Sequence, residues 1–379
     1  MARIKKHITD EKSEVSKYYS LKNILQKNAD YNIIFGERSN GKTYAALKLI
    51  LQNFLNGLGQ GAYIRRWRED LRGKRGETLF NALIVDGTIE SLTNGEYNSV
   101  TLQSGKYYLC KVDGKDRELH STPFCYSFAL SEQEHEKSTS YPNVTSIVFD
   151  EFLTRRYYLP DEFMLFMNLL STIIRQRDGV KIFMLGNTVN KYCPYFSEFG
   201  LKQIPTMKQG TIDLYQFGAD GCKIAVEYAA ATAATEKKSN KYFSFDNQNL
   251  QMIKGGKWEV DVYPHLPCKY APKDIVFTYY IDFDGVLLQC EIIQFGNNDF
   301  TYIHAKTTPI KDTVNSLIYS LEQHSTPNYK RKLLSAATDL EKKVARYYAT
   351  DKVFFQSNEI GEIVRNYIIC SAKSNVLTV

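Results

Sequence analysis

The chain lacks any cysteine pair at metal-clip spacing. Its seven cysteines (Cys110, Cys125, Cys193, Cys222, Cys268, Cys290 and Cys370) are scattered without a Cys-x-x-Cys, and its six histidines do not gather beside them. A structural zinc or a disulfide framework is therefore not expected. Nor does any stretch of about 18 residues run apolar without interruption. The basic start MARIKKHITDEKSEVSKYYS has no apolar core of signal-peptide length. These absences set the expectation of a soluble, cytosolic protein with no membrane contact. Charge of one sign is not dominant either: 48 Lys and Arg stand against 42 Asp and Glu, a net +6. That balance permits a polyanionic partner without demanding one. No internal repeat is visible.

What is present is enough apolar material for a sizeable core, 43% of 379 residues, and a length that suits two domains. Four β-branched or aromatic runs read as largely buried strands: YNIIF (31–35), AYIRRW (62–67), TSIVFDE (145–151) and KIFMLGN (181–187). Between them, residues 43–54 and 160–177 have helical spacing, the second through Phe163, Phe166, Met167, Leu170, Ile173 and Ile174. Strands alternating with helices predict a mostly parallel, doubly wound α/β sheet. Residues 76–140 alternate apolar and polar around NG and DG turns, which predicts a β-hairpin insertion. After Pro205 the texture changes. AVEYAAATAATEKKSN (225–240) reads as an alanine-rich helix or linker, and DIVFTYYIDFDGVLLQCEII (274–293) as strand, DG turn, strand. The expected division is 1–205, 206–250 as a linker domain, and 251–379 as an α+β domain.

Gly36-Glu37-Arg38-Ser39-Asn40-Gly41-Lys42-Thr43 fits GxxxxGK[ST] between an expected strand and an expected helix. In that setting backbone N–H groups curl around phosphate oxygens, Lys42 reaches the β- and γ-phosphates, and Thr43 ligates Mg²⁺. A glycine turn with no ligand is the plain alternative. A phosphate loop needs a metal-holding carboxylate on another strand, and SIVFDE supplies Asp150 with Glu151 next to it. Asp150 would hold the metal, and Glu151 would polarise the water that attacks the γ-phosphate. Asn187 and Thr188, at the end of the next strand, are placed to sense that phosphate. Asn190-Lys191-Tyr192-Cys193 is near the NKxD of GTPases, but Cys193 cannot accept the guanine hydrogens that an Asp would take, so ATP is the expected nucleotide. Cations for the transition state are offered by Arg38 inside the loop and by Arg175 and Arg177 at the end of the second helix. The latter two also suit a helix C-terminal dipole.

Glu136-Lys137-Ser138 followed by YPNVTSIVFDEF (141–152) resembles the packaging ATPases of φ29-like tailed phages. GERSNGKT, AYIRRW, TIIRQR and LGNTVN occur in the same order, and the likeness continues faintly through SFDNQ (244–248). The resemblance implies a P-loop motor domain of the additional-strand, catalytic-glutamate type, a small linker domain, and an RNase H-like domain without nuclease activity. It also implies a terminase-like, homopentameric ring that uses ATP and Mg²⁺ to drive double-stranded DNA into a preformed head, docked on the portal and a packaging RNA in the host cytoplasm. By the same resemblance Lys42, Thr43, Asp150 and Glu151 run hydrolysis, Arg175 is a finger acting in trans, and Lys137 reaches across the subunit interface.

GAYIRRWREDLRGKR (61–75) carries a surplus of four positive charges, and Arg68, Arg72, Lys74 and Arg75 are its candidates for tracking DNA phosphates. A solvated basic loop is the alternative, with Arg65 and Arg66 buttressing the sheet edge. Residues 301–379 hold 11 basic and 7 acidic residues, a surface for RNA or portal. Two other readings compete: a terminase that also cuts DNA, and a nucleotide-gated binding module. The first needs converging carboxylates, whereas Asp282, Asp284, Asp299, Asp312 and Asp339 read as scattered. The second has no use for Glu151.

Overall fold

The computed structural model describes residues 18–132, 139–154, 158–159, 161–188, 193–201, 203–218, 221–230, 262–266, 268–322 and 324–373. They divide between two units, Met1–Glu259 and Val260–Val379.

The first unit is organised by ten strands: β1 (Tyr31–Gly36), β2 (Gln60–Arg65), β3 (Ser99–Gln103), β4 (Lys106–Asp113), β5 (Asp116–Leu119), β6 (Cys125–Ala129), β7 (Val144–Asp150), β8 (Lys181–Asn187), β9 (Thr211–Gln216) and β10 (Lys223–Tyr228). Their order is β3-β4-β6-β2-β7-β8-β1-β10-β9, with β5 pairing β4 off that path. From β6 to β10 every pairing is parallel. The crossovers carry helices, notably α2 (Lys42–Leu55) after the four-residue α1 (Lys22–Leu25), and the later α6 (Glu162–Ile174) and α7 (Pro194–Glu198). Three short helices, α3 (Gly73–Glu77), α4 (Asn81–Val85) and α5 (Thr88–Leu92), precede β3.

Two-residue alternation sends each central strand to two cores. Ile33, Phe35, Ile147, Phe149, Ile182 and Met184 pack with Phe166, Leu169, Leu170 and Ile173 of α6. Ile34, Val148, Phe183 and Leu185 pack with Ala46, Leu47, Ile50 and Leu51 of α2. Burying a side chain such as Phe166 contributes about 1.5–3 kcal/mol, so the strands are stabilised on both faces, as near-continuous apolar runs require. β8 separates β1 from β7, so the phosphate loop and Asp150 leave the sheet on strands that are not neighbours.

Three expectations change. The hairpins expected within 76–140 form, as β3–β4 and β4–β5, but they are no separate insertion: β4 pairs antiparallel with β6, so the meander extends the main sheet. The first unit runs past residue 205, because β9 and β10 complete its edge, β10 lying parallel to β1. Sheet hydrogen bonds thus claim residues 211–228 from the expected linker, and AVEY ends β10; residues 231–261 lie outside the described ones. The helix expected over 160–177 ends at Ile174, where Arg175 and Gln176 turn to positive φ.

The second unit has six strands: β11 (Ile275–Phe283), β12 (Val286–Phe295), β13 (Asn298–Ala305), β14 (Ile318–Ser320), β15 (Tyr329–Lys330) and β16 (Val353–Phe355), in the order β15-β14-β11-β12-β13-β16. The expected DG hairpin joins β11 to β12, with Asp284 and Gly285 at φ 52° and 76°, the left-handed pair that a tight two-residue turn needs. Helices α8 (Asp339–Ala349) and α9 (Asn358–Lys373) follow. Val344 and Tyr347 of α8 and Ile363, Val364 and Tyr367 of α9 are buried, as are Tyr279, Ile281, Cys290, Ile292 and Ile303 of the strands.

Candidate active site

Gly36 ends β1 in close quarters: a Cβ there would stand 3.1 Å from that of Ala229, which would have to give way by a few tenths of an ångström. The loop then turns through Ser39 at φ 60° and Gly41 at φ 96°. It opens into α2, whose N-cap Gly41 offers no capping side chain; the Lys42 N–H donates to Asn40 Oδ1 at 3.3 Å, and N–H groups at a helix start suit an anion. Lys42 is folded back over the loop: its Nζ donates to the Glu37 carbonyl at 2.7 Å, to Asn40 Oδ1 at 3.1 Å and to Asn187 Oδ1 at 3.4 Å. An ammonium with these three oxygens is held where phosphate would replace one or more of them.

One strand beyond β8, Asp150 is 6% exposed. Its Oδ2 accepts from Thr43 Oγ1 at 3.0 Å and from the Tyr63 hydroxyl at 2.8 Å, and its Oδ1 accepts from the Glu151 N–H at 3.0 Å. Burial, then the Asp150 carboxylate, pushes the Tyr63 phenol well up, so it stays a donor. Glu151 leaves the strand at φ 56° and accepts from Arg65 Nη2 at 2.7 Å. Arg65 also lies 3.2 Å from Asp70 and 3.8 Å from Asp150. Burial alone would lower its pKa, but Tyr63 and these three carboxylates raise it, and it remains a cation.

A cavity of about 1180 Å³ gathers Arg38, Ser39, Asn40, Gly41, Lys42, Thr43, Asp150, Glu151 and Asn187. The expected loop, metal and base residues therefore meet in one place. Glu37 is buried and accepts from Gln209 Nε2 at 3.1 Å. Thr188 is buried, its N–H donating to the Gly36 carbonyl at 3.1 Å. Arg175 is not brought to this cavity; its guanidinium donates to the Thr139 carbonyl at 2.9 Å. Arg177 is structural, donating to the carbonyls of Tyr141, Val144, Ile173 and Ile174. Lys137 lies outside the described residues. Among the DNA candidates, Arg68 pairs with Glu132 and Arg75 lies 3.4 Å from Asp70, while Arg72 and Lys74 are exposed at the start of α3. Of the NKxD-like run only Cys193 is described, its buried thiol pushed up to about 12. Sequence reasoning missed Tyr63 and the pairing of Arg65 with Glu151. Both follow from β2 lying beside β7, a neighbour relation no local motif encodes.

The donor set suits Mg²⁺: a threonine hydroxyl and a carboxylate 3.0 Å apart are hard oxygen ligands with room for water and phosphate oxygens. Among the described residues no group of three or more His, Cys, Asp and Glu could form a metal cluster, and no helix is long and apolar enough to cross a membrane.

A phosphate loop, a buried aspartate beyond an intervening strand and a glutamate after it define a P-loop nucleotide-binding domain. The family of the podovirus DNA encapsidation protein (Gp16) matches residues 13–245, more than half of the chain, and the chain belongs to that family. It is 31% identical over 173 residues to the DNA packaging protein of Bacillus phage B103, covering 45% of this chain and 48% of that one. It is 29% identical over 189 residues to that of Bacillus phage phi29, covering 49% and 51%. The chain thus spans about half the length of the curated relatives it matches. Two solved structures share the fold: the Phi-28 gp11 DNA packaging motor (18% identity, TM-score 0.51, covering 96% of this chain and all of that one) and the bacteriophage Phi-29 genome packaging motor assembly (20%, 0.54, 93% and all).

Proposed function

We propose that the chain is an ATP-hydrolysing motor that moves double-stranded DNA into a preformed phage head. The observation that carries this is the single cavity in which Lys42, Thr43, Asp150 and Glu151 converge, together with membership of the encapsidation family. Lys42 and the loop N–H groups bind and orient the β- and γ-phosphates. Thr43 and Asp150 hold Mg²⁺, which supplies charge neutralisation at the phosphate oxygens. Glu151 accepts a proton from the attacking water once its carboxylate, which accepts from Arg65 at 2.7 Å, has turned to that water. Asn187, bonded to Lys42, senses the γ-phosphate. Arg175, on a turn away from its own cavity, serves a neighbouring subunit's nucleotide in a homopentameric ring, and Lys137 acts at the same interface. Arg72 and Lys74 contact DNA backbone. Family membership also supports portal, prohead and packaging RNA as the docking partners, with the host cytoplasm as the setting.

For the second unit we read an RNase H-like domain that does not cut. Within the six-stranded sheet the run β13-β12-β11-β14-β15, with the first three antiparallel and the last two parallel, supports the RNase H-like part of that reading. ATP turnover by the full chain, alone and with double-stranded DNA and empty heads, tests the motor. DNA and heads should stimulate hydrolysis and the DNA should become nuclease-protected. Turnover indifferent to both would overturn it.

A further inference from the structure

β2 runs into two consecutive arginines, and strand alternation sends them to opposite sides. Arg65 takes the Glu151 carboxylate. Arg66 takes the backbone: its Nη1 donates to the Glu151 carbonyl at 3.1 Å and its Nη2 to the Phe152 carbonyl at 2.7 Å. The same guanidinium grips Glu162 through Nε–Oε2 at 2.7 Å and Nη2–Oε1 at 2.9 Å. This pair is no surface salt bridge, since the two side chains are 6% and 1% exposed. Every partner is specified: Glu162 also accepts from the Leu159 N–H at 2.7 Å and the Tyr195 hydroxyl at 2.9 Å, and Arg66 lies over the Tyr158 ring at 5.0 Å.

A buried ion pair is a poor source of stability compared with apolar packing of the same volume, so its placement asks for another role. The clue is what the free edge of Arg66 holds. Glu151 is a non-glycine residue at φ 56°, a conformation that persists only where the surroundings impose it. On the N-terminal side its N–H is tied to Asp150 at 3.0 Å, and beyond it the Phe152 N–H donates to Leu185 at 3.1 Å. Arg65 holds the Glu151 carboxylate, and Arg66 adds a restraint on the two carbonyls of the turn. Glu162 begins α6, so the turn is anchored to a helix rather than to a loop.

We infer that the Arg66–Glu162 pair is a positioning device for hydrolysis: it fixes the left-handed turn at Glu151 and thereby the height of the Glu151 carboxylate above Asp150. This rests on the reading of Glu151 as the water-polarising base. A planar guanidinium can bridge two carbonyls and a carboxylate at once, whereas an ammonium has no such fork. Arg66→Lys therefore keeps the charge opposite Glu162 and loses the geometry. A displacement of about 1 Å at a reacting group costs on the order of a hundredfold in rate, while the phosphate loop on β1 is untouched.

The experiment uses the full chain with Mg²⁺, ATP and double-stranded DNA, measuring kcat, KM, the Kd of a fluorescent ATP analogue and the melting temperature. Arg66→Lys, the neutral pair Arg66→Met with Glu162→Gln, and Glu151→Gln are compared. The inference expects kcat to fall about a hundredfold in the first two, with KM and Kd within about twofold of the parent. Full turnover in either folded variant, or a Kd that weakens as much as kcat falls, would overturn it, as would failure of both to fold, which would make the pair purely structural. If Glu151→Gln itself hydrolyses ATP normally, it is the reading of the base that fails.

Discussion

Each unit places an aspartate near the end of a central strand, and the two are treated in opposite ways. Asp150, closing β7, is met by two hydroxyls, its neighbour's N–H and, at 3.8 Å, a guanidinium. Asp282, near the end of β11, stands in register with Ser320 of β14. Burial first, then the Glu322 carboxylate, raises its pKa, with His324 acting the other way. Asp150 is met by hydrogen-bond donors and a cation; Asp282 is met by burial and a second carboxylate that outweigh His324. Glu322 is the acidic partner that sequence reading did not find for Asp282, since the two meet only across the β11–β14 pairing. The difference teaches that a strand-end acid is a site only where the neighbouring strands bring it donors and cations.

The largest effect expected is in the first unit. Lys42→Ala removes the ammonium from the loop, and binding of a fluorescent ATP analogue should disappear along with hydrolysis. Next comes Arg175→Ala, expected to lower turnover by about 10³-fold or more if its guanidinium serves a neighbour's nucleotide. Mixing Arg175→Ala with Glu151→Gln subunits should then restore partial activity, because some interfaces regain one intact copy of each. Mixtures as inactive as both parents, in assembled rings, would transfer the role to Arg38.

In the second unit the pH dependence concerns Glu291 and His304, 3.5 Å apart. Burial works against the Glu291 anion, but bonds from His304, Tyr270 and Gln289 bring its pKa from 4.5 down to about 2. The bond to Glu291 raises His304 above 6.5. A lowered acid stabilises above its unfolded pKa and ceases to as pH falls toward the folded one; a raised base stabilises below its unfolded pKa and ceases to as pH rises through the folded one. Amide protection along β12 and β13, followed by hydrogen exchange, should therefore be greatest between about 4.5 and 6.5. A flat profile would remove the pair's role. The smallest effect is predicted for Asp282→Asn: a slight rise in melting temperature at neutral pH, as an unfavourable charge is lost, with no change in plasmid nicking in Mg²⁺ or Mn²⁺. Nicking by the parent that vanishes in this variant would promote the terminase reading.

Much of the site was legible because its chemistry is local. GERSNGKT and the Asp150-Glu151 pair are defined by spacing and by the strands that carry them, and the strands of 31–36, 144–150 and 181–187 follow from their apolar runs. What escaped depended on pairing between distant segments. Nothing within TIDLYQ or KIAVEY says that they complete the edge beside β1. Tyr63 lies in β2 and Arg66 directly after it, and the neighbours of that strand decide what they touch. The basic run 61–75 read as a DNA track, yet two of its arginines, Arg65 and Arg66, are largely buried among carboxylates of the site. Net charge along a segment counts cations without saying which are already paired.

The central claim is that Glu151, beside Asp150, is the base for ATP hydrolysis. Glu151→Gln keeps the shape of the side chain and removes its basicity, so single-turnover hydrolysis measured beside nucleotide binding tests it most directly. The account predicts binding within about threefold of the parent and hydrolysis slower by 10²–10⁴-fold, the usual contribution of a positioned base. Hydrolysis at near-parental rate with intact binding would contradict it.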